Sequence, residues 1–183
     1  QKLSINQLEI NEQKEKIIQR AFEKTKTENT IESFNSFITN FLVGAVLSPA
    51  QMADLFKFII GLPKDNFDIL KDPTKMGNIR ANLNTFLGGI TLDAEDLIAI
   101  YKAIAGLSGE HFNRLATSSA DATAAWAAVR ANLIRFITPA SGAAATLSAK
   151  DMTDIFIVII GLGTTAFDNL KDPAKFTETF MPI

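Results

Sequence analysis

The chain has 183 residues, of which 47% are hydrophobic and 21% charged, with a formal charge of −2 and no cysteine. That length suits one domain around a single core, and the composition is that of a folded chain. Mild acidity excludes nucleic acid as a main partner, and the lack of cysteine excludes disulfides, a thiol nucleophile and cysteine-held metal. The longest apolar runs, such as Ile155–Leu162, are too short to cross a bilayer.

The first residues differ from the rest. Gln1–Asn11 reads as a polar, loose stretch, and Glu12–Lys26 as a charged helix with Ile17, Ile18, Ala21 and Phe22 on one side. Residues 1–30 are therefore expected to form a tether or a cap on the domain that follows, 31–183. The first amphipathic helix of that domain is expected to begin near Thr30 and to stop near Gly44, with Phe34, Ile38, Phe41 and Leu42 on its buried stripe.

A second helix starts at Ser48-Pro49-Ala50-Gln51, a capping box with proline at the first helical position. It should run about twelve residues to Gly61, roughly 18 Å at the α-helical rise. Glycine there suggests a left-handed cap, with Leu62 folding back on Phe56. A short third helix carries Phe67 and Leu70 and ends at Lys71-Asp72-Pro73.

This order then recurs. Leu47–Met76 and Leu147–Phe176 align without a gap at an offset of 100, with 16 of 30 positions identical. A third copy lies between them at an offset of 45 from the first. Leu47, Phe56, Ile59, Gly61, Leu62, Phe67 and Leu70 become Leu92, Tyr101, Ile104, Gly106, Leu107, Phe112 and Leu115. The preceding stripe recurs as Ile79, Leu83, Phe86 and Leu87, then as Val129, Leu133, Phe136 and Ile137. Asp93 and Ser148 stand where Ser48 caps, and Gly106 and Gly161 where Gly61 ends the helix. The expected fold is all-α: three divergent units of helix, helix and short helix, spanning 31–75, 76–120 and 121–183, packed as a short solenoid or a compact bundle. Length differences between units fall at Thr117–Asp121 and Pro139–Thr146, where surface loops tolerate them. Ala174–Ile183 resembles the start of one more first helix.

Chemistry is sparse. The single histidine, His111, aligns with Asn66 and Ala166, so it reads as a surface residue or a contact rather than a catalyst or metal ligand. Asp54 and Asp154, Asp68 and Asp168, and Asp72 and Asp172 are pairs by alignment only, too far apart for joint acid–base work and suited to helix surface and turn capping. No phosphate-binding glycine pattern or calcium loop is present. The expectation is a non-enzymatic protein without cofactor or metal.

The 14 phenylalanines are the other feature. Phe41, Phe86 and Phe136 share one repeat position, Phe56, Tyr101 and Phe156 a second, and Phe67, Phe112 and Phe167 a third. Such stripes read as core. Phe58, whose counterparts are Ala103 and Val158, fills a gap or lies on a contact patch. The function expected is a module that binds a protein partner, in a setting such as a secreted or surface-anchored bacterial protein. The alternative is a carrier of a fatty acid or other apolar ligand in a phenylalanine-lined cavity.

Overall fold

The computed structural model describes residues 3–138 and 147–180. The segment expected to form a loop, Pro139–Thr146, lies outside the described residues, as do 1–2 and 181–183. Every regular element among the described residues is helical: α1 Leu3–Ser36, α2 Pro49–Ile60, α3 Lys64–Leu70, α4 Pro73–Leu87, α5 Ala94–Ala105, α6 Gly109–Ala116, α7 Ala120–Ile137, α8 Ala149–Ile160, α9 Thr164–Lys171 and α10 Pro173–Phe180. A π-helical turn, Phe37–Leu42, extends α1.

Local chemistry explains the starts of these helices. Ser48 and Gln51 form the reciprocal capping box at α2, and Ser148 and Asp151 form it at α8. The Asp93 carboxylate accepts from the Asp96 N–H at α5. Asp72 accepts from the N–H groups of Thr74 and Lys75, and Asp172 from those of Ala174 and Lys175. The Lys-Asp-Pro sequences thus open α4 and α10 as well as closing the helices before them, with proline at the position where no donor is needed.

Two sequence expectations are corrected. The glycines after α2, α5 and α8 are not left-handed: Gly61, Gly106 and Gly161 have φ of −84°, −91° and −85°. The last turn instead tightens into three-residue hydrogen bonds, Gly61 N–H to Phe58 O at 3.3 Å and Leu62 N–H to Ile59 O at 3.0 Å, which satisfy the terminal carbonyls without a sign change in φ. The left-handed glycine cap lies at the end of α4, where Gly88 has φ of 58°. The second correction concerns the N-terminus. No break falls near Thr30, and Gln1–Asn11 is not a separate loose stretch where it is described, because α1 is continuous from Leu3. The sequence from 3 to 36 contains neither glycine nor proline, so nothing interrupts propagation.

The helices pack compactly around one core. The π-turn, α4 and α7 lie side by side, and α5 packs between α2 and α8. The short helices close the edges, α3 on α1 and α4, α6 on α4, and α9 on α7 and α10. Phe37, Phe41, Phe86, Tyr101, Trp126 and Phe156 are buried at its centre. Among the described residues no helix is long and apolar enough to cross a membrane.

Candidate functional site

The polar candidates scatter. Asp54 pairs with Lys102 of α5 at 2.7 Å, whereas Asp154 pairs with Lys150 on its own helix at 3.8 Å. Asp68 and Asp168 each meet a lysine three residues on, Lys71 at 3.6 Å and Lys171 at 3.0 Å. His111 is half-buried on α6, and its backbone N–H donates to the Ser108 hydroxyl that caps the helix. Desolvation, and then the neighbouring Asp93 charge, push the Asp96 carboxyl up. Asp93 is the N-cap of α5 and Asp96 lies in its first turn, where the work on hand is capping. Among the described residues no three His, Cys, Asp or Glu side chains converge on one point.

The aromatic candidates do come together. Phe41 and Phe37 meet Tyr101, with centroids 6.3 and 4.6 Å away. Phe86 and Trp126 meet Phe156 at 5.5 and 5.2 Å, and Trp126 also meets Phe167 at 5.1 Å. Phe67 and Phe112 are buried in the same core. Offset and edge-to-face contacts at these distances add to the burial of the rings. Arg114 lies 4.5 Å from the Phe167 centroid and donates to Leu162 O at 2.7 Å; its burial lowers the guanidinium pKa. Phe58 is half-buried with Lys102 Nζ 5.5 Å from its centroid, so it packs at a junction.

Two members of the aligned sets behave differently. Phe56 is 40% exposed and Phe136 46%, although Tyr101, Phe156, Phe41 and Phe86 are all fully buried. The exposure of Phe56 extends along its face. Met52 and Ile60, one turn to either side on α2, are exposed, as is Ile31 of α1, whose Phe34 meets Phe56 edge-on at 6.2 Å, while the aligned sets Met76, Leu97, Ala105 and Trp126, Met152, Ile160 are buried. Phe136 on α7 touches Phe176 of α10 edge-on at 5.8 Å. Alignment had placed these residues in register, but it carries no information about what packs on each of them.

A second apolar feature was not read from the sequence. A groove of about 460 Å³ runs between α1 and the α2–α3 connection, lined by Ile18, Ala21, Phe22, Leu62, Pro63 and Phe67 among others. The earlier signal for it was the one-sided run from Ile17 to Phe22. Comparison of the chain with protein-family models, curated proteins and solved structures finds no match.

Proposed function

We propose that this chain is a non-enzymatic interaction module of three divergent helical units, which binds a protein partner presenting an amphipathic helix with an aromatic side chain. Several recurrences support the repeat. Asn82 and Asn132, aligned at an offset of 50, both donate from the first helix of a unit to the end of its short helix, at Leu115 O and Leu170 O. Asn66 of α3 donates to Ala105 O, and Arg114 of α6 to Ile160 O, an aligned carbonyl in the next unit. Arg80 donates to Phe41 O at the end of the preceding first helix, and its counterpart Arg130 lies against Gly88 at the end of α4.

The observation that carries the binding role is the α2 face. Met52, Phe56 and Ile60 form an exposed apolar stripe although Phe34 of α1 meets Phe56 edge-on at 6.2 Å, and on α5 and α8 the same face is buried beneath Phe41 of the π-turn and Phe86 of α4. An exposed patch whose copies are buried elsewhere in the same chain is a surface built for a helix. The test is a photo-cross-linking side chain at position 56, with Phe56→Asp as a separate variant for retention. Capture of a protein at position 56, and loss of its retention with Phe56→Asp, support the module. Capture unaffected by the charge removes α2 from the interface.

The second reading, a carrier of an apolar ligand, is favoured by the α1 groove, whose volume suits a small lipid-like molecule. Native mass spectrometry decides it: a stoichiometric added mass lost on organic extraction and on Phe22→Asp substitution would establish the carrier.

A further inference from the structure

We propose that the partner helix is α7 of a second copy, whose Phe136 end docks on the α2 face so that copies associate head to tail. The inference rests on the repeat reading above and names the occupant of the face described there.

Two junctions inside the chain show what covers this face. Phe41 meets Tyr101 at 6.3 Å across the first, and Phe86 meets Phe156 at 5.5 Å across the second. In the alignment Phe136 continues the first partner of that pair and Phe56 begins the second. Within these two aligned sets, Phe56 and Phe136 are the rings left half-exposed, at 40% and 46%. The chain therefore displays both halves of a contact that it makes twice internally. A contact between unlike ends is heterologous and grows into a ring or an open filament.

Charge runs in the same sense. Lys102 reaches across the first junction to Asp54 at 2.7 Å. Lys57 aligns with Lys102 and lies exposed on α2, and Asp154 aligns with Asp54 and is 63% exposed on α8, with Lys150 of its own helix 3.8 Å away. Head-to-tail docking brings Lys57 of one copy to Asp154 of the next, the pairing the first junction already makes.

One element stands in the way, and its behaviour makes the proposal sharper. Phe176 of α10 lies 5.8 Å from Phe136 just as Trp126 lies 6.0 Å from Phe86, so α10 occupies the place that α1 of an incoming copy takes. This helix of eight residues moves off α7 when the second copy docks. Phe176 is thus an internal competitor for Phe136.

Sedimentation velocity over a wide concentration range tests this, with far-UV circular dichroism confirming that each variant is folded. The expected result is concentration-dependent association of the unmodified chain, weakened at least about tenfold by Phe56→Asp or Phe136→Asp, as loss of a central aromatic anchor does. An equimolar mixture of those two variants forms a dimer that grows no further, since each keeps one intact end. Phe176→Ser tightens association. Lys57→Glu weakens it, and adding Asp154→Lys restores it. The proposal is overturned by monomers in both the unmodified chain and Phe176→Ser, by a mixture that does not dimerise, or by association that Phe136→Asp leaves intact. The last result would indicate symmetric pairing of α2 faces. If self-association fails while position 56 still captures another protein, the module reading survives and this inference alone falls. If neither is seen, both fall.

Discussion

The junction of the π-turn with α5 and the junction of α4 with α6 solve one problem in two ways. In α4 the side chain of Asn82 is buried and donates to Leu115 O at 2.7 Å and Thr117 O at 3.0 Å, tying the helix to the end of α6. In α7, Asn132 makes the equivalent bond to Leu170 O. The residue aligned with them at an offset of 45 before Asn82 is Phe37, which has no side-chain amide to offer and meets Tyr101 edge-on at 4.6 Å instead. There the backbone widens into the π-turn, which brings Phe37 and Phe41 together against one partner, and then leaves through Val43 at φ of 32°. A β-branched residue in that region is strained, and π-turns recur where packing overrides regular helix. The contrast teaches that the register of one helix against its neighbours can be held either by a polar tie or by an aromatic wedge.

The hardest blow to the aromatic arrangement is Trp126→Ala. Trp126 is buried against Phe86, Phe156 and Phe167, and its truncation should cost about 3–5 kcal/mol in urea unfolding. A loss no larger than that of the half-exposed Phe56→Ala would show that the Trp126 cluster is not what holds α7 to α4, α8 and α9.

The polar tie is broken by Asn82→Ala, which strands two carbonyls and should cost about 1–3 kcal/mol. Asn132→Ala, with one such bond, should cost less. Equal and negligible losses would remove the amides from the account.

The smallest effect sharpens the first junction. The Tyr101 hydroxyl is buried without a hydrogen-bond partner, and desolvation pushes its pKa far above the usual tyrosine value. The raised folded-state pKa means that its full contribution is present below about pH 10, the unfolded value, and is lost as pH rises further and the unfolded state ionises. Tyr101→Phe should therefore change stability by less than about 1 kcal/mol at neutral pH and flatten its decline above about pH 10. Unfolding followed at pH 7 and under alkaline conditions checks both; an unchanged alkaline slope would acquit Tyr101.

Much of the fold was legible because its signals are local. Ser48 with Gln51 and Ser148 with Asp151 named helix starts that the structure has, and α2, α5 and α8 each run 12 residues. The glycine caps were misread because Gly61 marks an end without fixing how the last turn closes. Asn82 and Asn132 were readable as aligned polar residues beside the apolar stripe, yet their acceptors lie more than thirty residues away. No local pattern reports such a distance.

By itself, then, the sequence determined an all-helical chain, where most of its helices start and stop, and which apolar side chains belong to one aligned set. Those follow from caps, prolines and periodicity, which act within a few residues. Tertiary structure alone decided that α1 runs unbroken into a π-turn, and that Phe41 and Phe86 disappear from solvent while Phe56 and Phe136 do not. Burial depends on which helix lies across a face, and a residue's own neighbours in the chain do not carry that.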